Sequence, residues 1–316
     1  MAACDETESL DDLNVSLAAP PQNHLLGIML STAGFTAWAV SDAFIKMASE
    51  TITPSTVLAI SVFCSAVCTF LLAAKNGGIG QLRTRRLRFH LVRAALCAVS
   101  YYFCVLALKN LPLTSFYMIV FLSPLLIALL EKVFLRETAS LLIWLAILFG
   151  LGGIVVAVQS MPQDSDVVVA TTSFGIVAAI INASTYSVIA VMTRHARTEN
   201  NYALTIWPDA VILPVALGLM MWEGGFIFDA TGMVMAICSG VLGCLGFLLT
   251  NASLRMAPAA VVSPYHYTQI ISGALLGYAI WGHLPSLGVL VGAVMIIAAG
   301  LAILQQTAGE KVAPVP

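Results

Sequence analysis

Ten stretches of this chain are predominantly apolar for about twenty residues each, at 25–44, 55–74, 89–108, 113–131, 138–158, 173–193, 203–222, 230–250, 258–280 and 286–305. A helix needs about 20 residues to cross the roughly 30 Å hydrocarbon core of a bilayer. Backbone polar groups find no partners in lipid, so a spanning segment must be a helix or part of a closed barrel. A barrel would alternate polar and apolar residues over segments of about ten, and these blocks do not. The blocks therefore predict an all-α integral membrane protein with ten transmembrane helices. Composition agrees: 59% of residues are hydrophobic and only 9% charged, against roughly 25% charged in soluble domains.

The ends and joints fix an orientation. Residues 1–23 are polar, with Asp5, Glu6, Glu8, Asp11 and Asp12 and then Pro20-Pro21. They read as a disordered cytoplasmic tail without the basic start of a signal peptide. With that tail inside, twelve of the fourteen lysines and arginines fall on cytoplasmic connections or just within them, among them Lys75, Arg83, Arg85, Arg86, Arg88, Lys132, Arg194 and Arg255. Lys46 and Lys109 alone fall outside. Positive charge on the inner loops orients such helices, so both termini are expected in the cytoplasm and the protein in the cytoplasmic membrane. A net charge of −2 gives no reason to expect nucleic acid as a partner.

The two halves repeat. A shift of 148 brings Gly27 onto Gly175, Trp38 onto Tyr186 and Lys46 onto Arg194. A shift of 146 brings Leu108-Lys109 onto Leu254-Arg255, Pro112 onto Pro258, and Ala128-Leu129-Leu130 onto Ala274-Leu275-Leu276. The reading is a first repeat over 24–160, a second over 171–306 and a short cytoplasmic tail over 307–316. Five helices per repeat is an odd number, so the second must sit upside down relative to the first. Inverted repeats with a site near the midplane mark secondary transporters.

Ten helices in two five-helix halves resemble the EamA-type transporters of the drug/metabolite transporter superfamily. The resemblance rests on Ser41-Asp42-Ala43-Phe44-Ile45-Lys46 at the end of the first helix and Leu135-Arg136-Glu137 in a short connection. In the ninth helix, Ser263-Pro264-Tyr265-His266-Tyr267-Thr268-Gln269 is similar to a subgroup that includes S-adenosylmethionine carriers and riboflavin importers. The sequence departs from that pattern at His283, where many relatives carry an acid. The resemblance implies a carrier of a small metabolite such as an amino-acid derivative, S-adenosylmethionine or riboflavin.

Polar and aromatic residues at midplane depth are the candidates for substrate contact, because such side chains in lipid face an interior or a wet cavity. They are Trp38 and Asp42 on the first helix, Tyr101 and Tyr102 on the third, Tyr117 on the fourth, Asn182 and Tyr186 on the sixth, and Tyr265, His266 and Gln269 on the ninth. Helical spacing puts Tyr265, Thr268, Gln269 and Ser272 on one face, reading either as cavity lining or as interhelical hydrogen bonds. His266 falls with Gly273 and Gly277 on a face that reads as close packing. Asp42 suits a proton or cation site, or an ion pair with Lys46 one turn on. Arg93 is expected to snorkel to the cytoplasm. Asp209, after Trp207-Pro208, suits a gate or the cap of a broken helix. Glycines 240, 243, 246, 288 and 292 read as close-contact faces.

No phosphate loop, zinc-protease motif, nucleophile elbow or cysteine pair at metal spacing occurs, so an enzyme, an ATP-driven pump, a cofactor and a metal centre are not expected. A channel or scaffold is the competing class. Oligomeric state is left open, as is the choice between proton coupling, for which Asp42 is the candidate, and exchange.

Overall fold

The computed structural model describes residues 23–134, 141–160, 166–196, 198–226, 228–257, 262–282 and 284–310. The acidic tail, Leu135-Arg136-Glu137, Arg197, Pro258 and His283 lie outside the described residues.

Ten helical spans run through these residues. They are α1 (His24–Ala48), α2 (Pro54–Lys75), α3 (Leu87–Asn110), α4 (Leu113–Val120 and Leu122–Phe134, joined at Phe121) and α5 (Leu141–Gln159). The second half contributes α6 (Asp166–His195), α7 (Asn201–Trp222), α8 (Ala230–Met256), α9 (Thr268–Trp281, entered through a 3₁₀ turn at Ser263–Tyr267) and α10 (Leu287–Glu310). Spans α1–α4 and α6–α8 are each long and apolar enough to cross a membrane. Helix α6 starts seven residues before the apolar block at 173, and α10 continues to Glu310, because helical hydrogen bonding outlasts the apolar pattern.

Local chemistry sets the ends. Asn23 Oδ1 accepts from the Leu26 N–H, Asn200 caps α7, and Asp229 caps α8 through the Gly232 N–H; each relieves an orphan amide of a first turn. Helix α2 begins Thr53-Pro54, with proline at the position where its missing N–H costs nothing. Gly282 ends α9 in the left-handed conformation, φ +69°, which suits a residue without Cβ.

The packing carries the repeat into space. Helix α1 runs along α8, and its repeat-related pair α6 runs along α3; α5 pairs with α10 and α2 with α7. Helices α4 and α9 cross at the centre, where the Phe121 and Tyr267 rings lie 5.3 Å apart between centroids. These two residues are 146 positions apart, so each touches its own repeat equivalent. Such a contact straddles the pseudo-two-fold axis. The fold is thus two inverted five-helix repeats sharing one centre.

The seams of α8 with α1 and α2 are built from small residues. A Cβ added at Gly34 would sit 2.7 Å from Thr250 Oγ1, and one at Gly240 would strike the Ser61 carbonyl of α2. Ser41 donates to the Ser239 carbonyl at 2.9 Å, and the Ser61 and Ser239 hydroxyls meet at 2.6 Å. Close backbones and interhelical hydroxyl bonds of this kind replace the hydrophobic effect as glue in lipid. Large apolar side chains such as Phe63, Trp144, Leu148, Phe149 and Trp222 point outward instead.

One contact occurs twice, at opposite faces. Pro112 has no N–H, so the Leu108 carbonyl four residues back loses its helical partner. Lys46 Nζ donates to it at 3.0 Å, and to the Leu111 carbonyl at 2.9 Å. In the second repeat Pro258 stands four residues after Leu254, and Arg194 Nη1 donates to the Leu254 carbonyl at 3.3 Å. Lys46 and Arg194, matched across the repeat in sequence, thus donate to carbonyls at matched positions in the structure. Of the two readings of Asp42, the ion pair with Lys46 does not form, because the Leu108 and Leu111 carbonyls take the ammonium.

Candidate functional site

A cavity of about 130 Å³ lies among α1–α4 and α6–α9, with both repeats on its wall. Eight of the ten candidate residues face it: Trp38, Asp42, Tyr101, Tyr117, Asn182, Tyr186, His266 and Gln269. Tyr102 and Tyr265 do not. Neighbours on a helix point about 100° apart, so with Tyr101 facing inward Tyr102 turns away, its hydroxyl 3.5 Å from Glu223 Oε1. Tyr265 packs instead with Phe35, Ile127 and Val262.

The arrangement at the ninth helix has a geometric cause. A continuous α-helix would bring Tyr265 and Gln269 together at four-residue spacing. The chain instead passes Ser263–Tyr267 as a 3₁₀ turn, in which residues three apart align. His266 and Gln269 consequently share the cavity wall. His266 Nδ1 and Gln269 Oε1 are buried without a hydrogen-bond partner, although the His266 ring is stacked on Phe35 at 4.1 Å. Gly273 does pack closely as expected, against the Tyr117 ring.

Asp42 comes from α1, about three-quarters of the way along it, and its Oδ2 accepts from the Tyr117 hydroxyl at 2.9 Å. Trp38, one turn earlier, sits edge-on to Tyr186 and Phe247 at 5.7 and 5.6 Å, and Gly246 leaves the room its indole needs. Asn182 of α6 ties to α3, donating to the Ser100 carbonyl at 2.9 Å and to its hydroxyl at 3.1 Å. The wall is thus aromatic and rich in acceptors.

A second acid lies on the same wall. Helix α7 is not broken at Pro208; it runs straight through Pro208 and Pro214. Asp209 therefore caps nothing. It lies 8% exposed on the cavity wall, its Oδ2 accepting from Ser65 Oγ of α2 at 2.8 Å. Its position after Trp207-Pro208 was visible in sequence, but its partner is 144 residues away.

Below the cavity, toward the face where α1 begins, Arg93 is fully buried rather than snorkelled. Its Nε donates to Thr193 Oγ1 at 3.0 Å, Nη1 to the Leu204 carbonyl at 2.6 Å and Nη2 to Asn251 Oδ1 at 3.1 Å. Leu204 is four residues before Pro208, so Arg93 takes the carbonyl that this proline frees, which is what lets α7 continue. Nearer that face, His90 and Glu199 pair at 3.1 Å and Trp207 Nε1 reaches the Leu82 carbonyl at 3.2 Å. Polar contacts between the repeats thus floor the cavity on this side.

Comparison with known proteins agrees with the repeat architecture. The chain is 27% identical over 286 residues to the pseudopaline exporter CntI of Pseudomonas aeruginosa, covering 88% of this chain and 95% of that one. It is 22% identical over 298 residues to a riboflavin transporter of Rhizobium johnstonii, covering 94% and 97%. A third relative, the S-adenosylmethionine uptake transporter of Rickettsia bellii, is 26% identical over 232 residues, covering 72% and 76%. A solved crystal structure of a protein superposes with a TM-score of 0.66 over 91% of this chain and 99% of its own at 15% identity, a likeness of fold alone. The description EamA-like transporter family matches twice, at residues 25–159 and 173–305, once for each inverted half around the cavity. This multi-pass membrane protein belongs to the EamA-like transporter family.

Proposed function

We propose that the protein is a secondary transporter that moves a small metabolite across the cytoplasmic membrane by alternating access. The observation that carries this reading is one central cavity whose wall is shared by two inverted repeats. Rocking one repeat against the other around such a cavity exposes the same site to each face in turn. Trp38, Tyr101, Tyr117, Asn182, Tyr186, His266 and Gln269 contact the cargo in this reading, and the relatives' names suggest an amino-acid derivative, S-adenosylmethionine or a riboflavin-like molecule. Asp42 exchanges a proton or a cationic group, because burial of a carboxylate without a counter-charge is costly until one of these arrives. The floor at Arg93 faces the cytoplasm, where the basic connections lie.

Counterflow in proteoliposomes tests the class. A carrier preloaded with unlabelled cargo accelerates uptake of the labelled molecule, whereas a channel or scaffold gives no such trans-stimulation. The panel starts with S-adenosylmethionine and riboflavin. Preloading that leaves every uptake rate unchanged contradicts the proposal.

A further inference from the structure

The charge on the cavity wall points to the charge on the cargo. Asp42 and Asp209 both line the cavity, and no lysine or arginine is among its described lining residues. The nearest cations on the same helices are spent elsewhere. Lys46, one turn from Asp42, is held by the Leu108 and Leu111 carbonyls. Arg93, one turn from the lining residue Cys97, is held by Thr193, Leu204 and Asn251. Each carboxylate is left with one hydroxyl, from Tyr117 or from Ser65, although a carboxylate offers about four lone-pair sites.

A second observation points the same way. Gln269, 3% exposed, holds its Oε1 at this wall without a donor. That acceptor and the two carboxylates call for a ligand rich in N–H or O–H groups. The ring faces of Trp38, Tyr101 and Phe247 attract positive charge as well. An anionic cargo would meet two carboxylates and no positive side chain, and a neutral one would leave both uncompensated.

We infer that the cargo is an organic cation, a donor-rich metabolite with an ammonium, sulfonium or guanidinium group, and that Asp42 and Asp209 are its counter-charges. The inference rests on the carrier reading above. The two acids serve opposite ends of the cavity. Asp42 lies six residues before the end of α1, about 9 Å along it, and Asp209 eight residues after the start of α7, about 12 Å along it. Because α1 and α7 both enter from the face where α1 begins, the acids are about a third of the way in from opposite faces. Together they can hold the positive group on either side of the midplane.

The test uses full-length protein, wild type and the variants Asp42→Asn, Asp209→Asn and the double variant. Asparagine keeps an oxygen for the Tyr117 or Ser65 hydroxyl, and unliganded melting in detergent checks that each variant folds. Binding by thermal stabilisation and counterflow are measured with agmatine, S-adenosylmethionine, riboflavin and glutarate. The expected result is binding by a cationic probe, weakened tenfold or more by either single variant and abolished in the double variant. Riboflavin or glutarate binding that all variants retain, with counterflow intact, overturns the charge assignment while leaving the carrier reading standing. Absence of counterflow for every probe overturns the carrier reading and this inference with it.

Discussion

Arg93 Nη1 donates to the Leu204 carbonyl at 2.6 Å, the very group that Pro208 deprives of its helical N–H. The proline and the arginine are therefore one unit, although they sit 115 residues apart. Replacing Arg93 by methionine strands the Leu204 carbonyl and Asn251 Oδ1, at about 1–3 kcal/mol for each buried group left unpaired. Restoring the amide with Pro208→Ala returns the Leu204 carbonyl to its own helix. A double-mutant cycle by thermal melting in detergent is expected to show a smaller loss for Arg93→Met in the Pro208→Ala background than in the wild type.

Lys46 and Asp42 are one turn apart on α1 but do not pair, since Lys46 caps α3 and Asp42 bonds to Tyr117. Their substitutions should be close to independent. Lys46→Met is expected to lower the melting temperature in either background, and its effect should add to that of Asp42→Asn within about 0.5 kcal/mol. A larger coupling would mean that the two charges interact after all.

A methyl group at Gly240 would strike the Ser61 carbonyl, and backbone cannot move aside as a side-chain tip can. Gly240→Ala is expected to cost about 1–3 kcal/mol by overpacking. Gly218, whose added Cβ would meet nothing within 4 Å, is the matched control, and Gly218→Ala should leave melting unchanged or raise it. Detergent melting curves of the two variants side by side check the pair.

Asp229 lies just outside the span of α8. The Gly232 N–H and then the Thr51 hydroxyl hold its carboxyl below the usual carboxylate range. A carboxyl lowered by folding stabilises the fold above its unfolded value of 3.8, and that contribution disappears as pH falls through the lower folded value. Asp229→Ala should therefore reduce the melting temperature at pH 7 and have little effect near pH 2. Equal effects at the two pH values would contradict an ionised cap.

The helices and their inverted halves were legible because lipid demands long apolar runs and because the repeat keeps its spacing. Lys46 with Arg194, and Pro112 with Pro258, announced the register, but not that the two bases donate to carbonyls at matching positions, Leu108 and Leu254. The site was less legible where backbone geometry intervened. The five-residue 3₁₀ turn at Ser263–Tyr267 was enough to rotate Tyr265 off the wall and bring His266 onto it beside Gln269. The environments of Asp209 and Arg93 were not legible for another reason: their partners on α2, α6, α7 and α8 are remote in sequence, so nothing local distinguished a cavity acid from a cap, or a buried arginine from a snorkelling one.

Alternating access requires that one cavity open to both faces in turn. Cys97 lies on that cavity's wall and is 4% exposed, so a chain whose other cysteines are replaced by alanine carries a single reporter there. A membrane-impermeant maleimide is applied from either face of sealed vesicles, with and without the cargo found by counterflow. Alternating access predicts labelling from both faces, with cargo shifting the ratio between them. Labelling from one face only, unchanged by cargo, would contradict it.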